Sequence, residues 1–180
     1  MSAGSDRIAS AFSAAREEGR AALMPYMMGG FPDLDSSKAI ARSYVENGAD
    51  LIELGVPFSD PLADGPVIHE AATRALDAGT KLDDVFSICR EVGERIPVVL
   101  MAYTNSILGG EGPAAFGARA AEAGASGVIV PDLPLGEDES IRAALTGAGL
   151  AVVPLIAPTT LGDRRSEICR IAAGFVYVVS

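Results

Sequence analysis

The sequence predicts an α/β fold in which parallel strands alternate with helices, and three observations predict it. Apolar runs open near residues 23, 50, 97, 127, 151 and 175, each followed by a stretch of helical spacing, which is the rhythm of repeated βα units. Glycines stand where those helices should end. The segments Glu46-Asn-Gly-Ala-Asp50 and Glu122-Ala-Gly-Ala-Ser126 are similar and both lead into an apolar strand, a sign of internal repetition. Such a sheet is either open and doubly wound or closed as a barrel. No Gly-x-Gly-x-x-Gly follows the first strand, so the dinucleotide-binding form lacks its phosphate fingerprint. Residues of chemical character instead follow several different strands, as at the C-terminal face of a (β/α)₈ barrel. About six of the eight units are expected in one domain spanning residues 1–180.

Taken in order, Ile8, Phe12 and Ala15 recur at helical spacing and predict a helix over about 6–18, with Ser5 as its N-cap. Ala21 to Met28 is the first strand, broken by Gly29-Gly30 and Phe31-Pro32-Asp33. Asp35 or Ser36 caps a helix carrying Ile40, Tyr44 and Val45, which stops near Asn47-Gly48. The second strand begins at Asp50. Helical spacing then covers Val67–Ala78 and Asp83–Arg95, interrupted at Gly79-Thr80. Pro97–Met101 is the third strand, Ala114–Ala123 a helix, and Gly127–Val130 the fourth strand. Asp138–Ala148 is helical, Ala151–Ile156 is the fifth strand, Asp163–Ala173 is helical, and Phe175–Val179 is the sixth strand.

With 49% hydrophobic and 21% charged residues, the 180-residue chain has the balance of a globular domain able to bury a sizeable core. A net charge of −10 argues against nucleic acid, whose phosphates are held by clustered Lys and Arg. Cys89 and Cys169 are flanked by apolar residues and are expected to be small buried side chains. No metal-ligand spacing, signal-peptide pattern or membrane-length apolar run is present, so a cytoplasmic location is expected.

Chemistry is densest in Leu51-Ile-Glu-Leu-Gly-Val-Pro-Phe-Ser-Asp-Pro-Leu-Ala-Asp-Gly-Pro66. Leu51, Ile52 and Leu54 surround Glu53 and so place a carboxylate in what otherwise reads as a buried strand. Burial raises the pKa of such a group towards the range useful for proton transfer near neutrality. The loop that follows is restrained by three prolines while it carries Ser59, Asp60 and Asp64. A plainer reading is a strand-end acid satisfied by backbone donors, with ordinary turn residues after it. His69, the single histidine, is expected at a helix N-terminus or on the surface rather than in catalysis.

The same stretch resembles the signature of the tryptophan synthase alpha subunit without interruption. Supporting similarity follows in the family's order at Pro25–Pro32, Leu100-Met-Ala-Tyr-Thr-Asn105, Pro131-Asp-Leu-Pro134, Ile156-Ala-Pro-Thr-Thr160 and Phe175-Val-Tyr177. The resemblance implies a (β/α)₈ TIM barrel that cleaves indole-3-glycerol phosphate to indole and glyceraldehyde 3-phosphate in tryptophan biosynthesis. It implies Glu53 and Asp64 as the catalytic pair, and Tyr26, Leu100, Tyr177 and Leu155 or Ile156 around the substrate. Tyr177 reads equally as an inward-facing barrel aromatic. Pro57, Asp60, Pro61 and Asn105 would face a beta subunit in an α₂β₂ assembly. No cofactor is implied in this chain, the pyridoxal phosphate belonging to the beta subunit. The family's phosphate-binding turns are expected after its sixth strand, so no position up to Ser180 is assigned to the phosphate, and the chain is expected to be C-terminally incomplete and unstable alone.

Two other functions fit the residues. One is a non-catalytic module that binds a beta-like subunit through the loop from Pro57 to Asp64. The other is a metal-dependent aldolase using Glu53, Asp60 and Asp64, disfavoured by the lack of a histidine cluster.

Overall fold

The computed structural model describes residues 2–179. Helix α1 (Ala3–Glu17) starts three residues earlier than its periodicity suggests, because Ser2 rather than Ser5 is the cap. The Ser2 hydroxyl accepts from the Ser5 N–H, and Ser5 itself is buried. The chain then runs through β1 (Tyr26–Met28), α2 (Leu34–Glu46), β2 (Ile52–Gly55), α3 (Pro66–Asp77), α4 (Leu82–Val92) and β3 (Val98–Met101). It continues with α5 (Thr104–Leu108), α6 (Pro113–Glu122), β4 (Ala125–Ile129), α7 (Glu139–Gly147), β5 (Ala151–Val153), β6 (Leu155–Ile156), α8 (Gly162–Ile171) and β7 (Tyr177–Val178).

Local chemistry sets the helix starts. Asp33, not Asp35 or Ser36, caps α2: its carboxylate accepts from the Ser36 N–H at 2.8 Å and from the Ser36 hydroxyl at 2.7 Å. Proline opens α3 and α6, where its missing N–H costs no bond. Asp84 reaches back to the Lys81 N–H at 2.8 Å and closes the first turn of α4. The short helix α5 lies between the expected third strand and the expected helix over 114–123, where the sequence predicts no element.

All strand pairings are parallel. β1 to β5 lie side by side in chain order, and β6 pairs with β7. The predicted fifth strand is thus divided at Pro154, which has no N–H for a ladder. Before it, Val153 is in register with Ile129; after it, Leu155 is in register with Tyr177. Six strand positions follow one another as in a (β/α)₈ barrel, with one helix or two between neighbours.

Register separates the two faces of this arc. Residues opposite one another in parallel strands share a face, so Tyr26, Glu53, Val99, Gly127 and Ala151 line one side, and Leu54, Leu100 and Val128 the other. The outer side packs against helices: Ile52, Leu54, Leu100 and Val128 join Val85, Phe86, Ile88, Phe116 and Leu145 in the larger core. On the inner side Leu51, Val99, Ile129, Ala151 and Val153 gather around Ile8, with Phe12, Met101, Leu155, Phe175 and Tyr177 packed against them. Helix α1 therefore closes the N-terminal end of the arc. Ile8 reaches across Gly127 of β4 and Gly174 ahead of β7, where a Cβ would lie 3.2 Å from its side chain. Cys89 is buried in the outer core, as expected, but Cys169 is exposed, because α8 turns Ile168 inwards and Cys169 away. Among the described residues no helix is long and apolar enough to cross a membrane.

Candidate active site

Glu53 sits in the middle of β2 on the inner face of the arc, 4% exposed. Its Oε1 is buried with no hydrogen-bond partner among the described residues. Nearly all buried polar atoms are satisfied, so an unpaired carboxylate oxygen in the barrel interior marks a position kept for a ligand or a proton. Burial, then the charge of Asp64, raises the Glu53 pKa to about 7.

Two strands and one loop bring the neighbours in. Tyr26 is the register partner of Glu53 on β1, and its phenol is held well above its ordinary range by burial and then by Asp64 and Glu53. The ring fits because residue 55 is glycine. A Cβ there would stand 2.3 Å from the Tyr26 hydroxyl oxygen and 3.0 Å from Cζ. Tyr177 on β7 is half-buried and also raised, by burial and then by the charges of Glu53 and Asp64. Asp64 arrives on the loop between β2 and α3. Burial raises its pKa, and the hydroxyl of Tyr103 and then the charge on His69 oppose that rise. His69 itself is exposed in the first turn of α3.

The sequence reading placed Leu100 at the substrate, and the register moves it away. Leu100 is paired with Leu54 and fully buried in the outer core, whereas the next residue, Met101, is paired with Gly55 on the inner face. A one-residue step along a strand reverses the side. Of Leu155 and Ile156, Leu155 packs with the inner cluster and is the register partner of Tyr177, while Ile156 is paired with Val178. Both line a cavity of about 630 Å³ bordered also by Ala63, Pro131 and Pro154.

Of the residues assigned to a partner face, Asp60 and Asn105 are exposed and Pro61 is half-buried, but Pro57 is buried and shapes the loop rather than presenting a surface. Leu62, Val67 and Leu108 are exposed apolar residues close to them in sequence. Among the described residues no group of three or more His, Cys, Asp or Glu side chains could hold a metal ion, so Glu53, Asp60 and Asp64 do not form a ligand set.

Two residues went unremarked in the sequence reading. Tyr103, directly after Ala102, accepts from the Ala63 N–H at 3.0 Å and stacks on Phe58 with ring centres 5.1 Å apart. Asp132, after β4, accepts from the Thr104 N–H at 2.9 Å and the Thr104 hydroxyl at 2.6 Å. It thereby caps α5, whose own N-cap position, Tyr103, has no side-chain cap bond. Both residues lie within recognisable motifs, but the contacts that define their roles are long-range.

A family model described as "Tryptophan synthase alpha chain" matches residues 12–180. The tryptophan synthase alpha chain of Synechococcus elongatus is 49% identical over 175 residues, covering 96% of this chain and 65% of the relative. That of a Synechocystis species is 47% identical and covers 96% of this chain and 66% of its own length. The chain thus spans about two thirds of the length of the curated relatives it matches. Among solved structures, tryptophan synthase subunit alpha from Legionella pneumophila superposes with a TM-score of 0.90 at 36% identity, covering all of this chain and 68% of that one. Tryptophan synthase from M. tuberculosis, in an open form, gives 0.92 at 36% identity, covering 97% and 70%.

Proposed function

The chain belongs to the tryptophan synthase alpha chain family, and on that premise we propose that its site is built for the retro-aldol cleavage of indole-3-glycerol phosphate to indole and glyceraldehyde 3-phosphate. The observation that carries this reading is Glu53, an acid with one unpartnered oxygen, buried inside the arc and poised near neutrality. The reaction needs such a group. A proton is added at the indole ring carbon that bears the side chain, and another is removed from the adjacent hydroxyl. The bond between that ring carbon and the carbinol carbon then breaks. Its electron pair returns to the ring and restores indole, while the carbinol becomes an aldehyde. One proton enters and one leaves, so a carboxyl of pKa about 7 can give the first and take the second.

Asp64 is the second member of the pair. Ionised on its loop, it accepts a hydrogen bond from the indole N–H, which becomes more acidic as the protonated ring turns into an indolenine. Tyr26, Tyr177, Met101 and Leu155 supply the half-buried wall that an indole ring wants, Met101 standing in the place expected for Leu100 and Leu155 being the inner of the two expected residues Leu155 and Ile156. Asp60, Pro61 and Asn105, with exposed Leu62, Val67 and Leu108, form the face offered to a beta subunit in an α₂β₂ assembly. Pyridoxal phosphate belongs to that subunit, and the setting is the cytoplasm.

The test is indole release from indole-3-glycerol phosphate by the purified protein, with and without a beta subunit. The parent is expected to release indole, and Glu53→Gln to lose about 10²–10⁴-fold of that rate. A Glu53→Gln protein that works at the parental rate would overturn the assignment.

A further inference from the structure

We propose that Tyr103 is a positioning residue that braces the loop between β2 and α3 and so holds the Asp64 carboxylate in place before substrate binds. The proposal deepens the reading of Asp64 as the group facing the indole N–H and rests on it. Its geometric basis is independent of that reading.

Tyr103 is 3% exposed, at the junction of β3 and α5. It meets the loop at two points five residues apart. Its ring stacks on Phe58 at an interplanar angle of 27°, near the start of the loop, and its hydroxyl accepts from the Ala63 N–H at 3.0 Å, near the end. Among the described residues, Ser59 and Asp60 bond to one another, and the one hydrogen bond that residues 57–64 make to another element runs from the Ala63 N–H to Tyr103. One side chain therefore spans the loop as a strut. The strut has a fixed base, since the following residue, Thr104, is clamped to Asp132 through both its N–H and its hydroxyl.

The chemistry of the hydroxyl completes the argument. Having accepted from Ala63, it keeps its own proton free to turn towards Asp64, and its influence holds the Asp64 pKa down against burial. The groups that face Asp64 are Tyr103 from the β3–α5 junction, His69 from α3, Glu53 from β2, Tyr26 from β1 and Tyr177 from β7. Of these, Tyr103 and His69 hold its pKa down against burial.

The decisive variant is Tyr103→Phe, which keeps the ring, its burial and the Phe58 stack and deletes one oxygen. Three measurements are made on the intact protein: carboxyl-carbon NMR titration of Asp64, assigned with Asp64→Asn; amide exchange at Ala63; and steady-state indole release. Tyr103→Phe is expected to raise the Asp64 titration midpoint, speed Ala63 exchange about tenfold, and lower kcat about tenfold with a smaller change in KM. Replacing Tyr103 with 3-fluorotyrosine, which preserves the fold and makes the phenol a stronger donor, is expected to lower the Asp64 midpoint. An unmoved Asp64 titration in both variants, or parental Ala63 exchange in Tyr103→Phe, overturns the proposal. If the parent releases no indole, the proposed function fails, while the titration and exchange still decide the role of Tyr103.

Discussion

Glu53 makes the stability of this protein depend on pH in a direction opposite to that of most carboxylates. Its folded pKa of about 7 lies above the ordinary 4.5, so between those values the folded chain holds a proton that the unfolded chain has lost. Stability contributed by this group is complete below pH 4.5, falls as pH rises towards 7, and stays reduced above it. The full difference corresponds to roughly 3 kcal/mol. Glu53→Gln removes the titration without changing the shape. The variant should therefore gain about 2–3 kcal/mol on the parent between pH 5 and pH 8 in denaturant unfolding. A constant difference across that range would mean that the acid is solvated. The identity of Glu53 was legible in the sequence because a charged residue interrupts an apolar run. The assignment of Leu100 over Met101 was not safe there, because neighbouring apolar residues in a buried parallel strand carry no marker of which face each occupies.

Strand β2 carries a second constraint at Gly55, where the absent side chain lets the Tyr26 ring lie across the backbone. Gly55→Ala should push that ring out and cost about 1–3 kcal/mol in unfolding free energy. Combined with Tyr26→Ala, the same substitution should cost much less, so a double-mutant cycle reads the clash directly. Equal costs in both backgrounds would place the strain in the backbone instead. Helices and strands were legible as elements, since their periods differ, and the departures lie at their ends. Ser2 and Asp33 take the caps from Ser5 and from Asp35 or Ser36, because several polar residues cluster at each start and only the chain path selects among them. The five residues of α5 are too few to display a period, and their cap comes from Asp132, beyond the end of the neighbouring strand β4.

At the scale of the whole molecule, α1 joins parts of the arc that are distant in sequence. Ile8 is fully buried and touches the ground left open by Gly127 and Gly174, so it links β4 to the approach of β7. Ile8→Ala should cost about 2–5 kcal/mol in denaturant unfolding, far more than an equivalent truncation at half-exposed Phe12 scaled to its contact. A loss below 1 kcal/mol would show that the helix is only draped over the opening. The order of the units was readable from the spacing of apolar runs, and their closure by α1 was not, because a helix before the first strand looks the same whether it plugs the barrel or lies outside it.

Pro154 has a further consequence for how the sheet is held together. The backbone ladder from β1 to β5 is continuous, and the ladder of β6 with β7 is separate, anchored where the Tyr177 N–H meets the Pro154 carbonyl at 2.9 Å and the Val179 N–H meets that of Ile156 at 2.9 Å. No amide at residue 154 stitches the two together. The sheet therefore has a seam in its backbone bonding, which side chains bridge: Ile8 against Gly127 and Gly174, and Phe12 against Phe175. Tyr177 lies on one side of that seam and Glu53 on the other, so side-chain packing rather than the ladder holds the phenol near the acid and keeps that carboxyl dry.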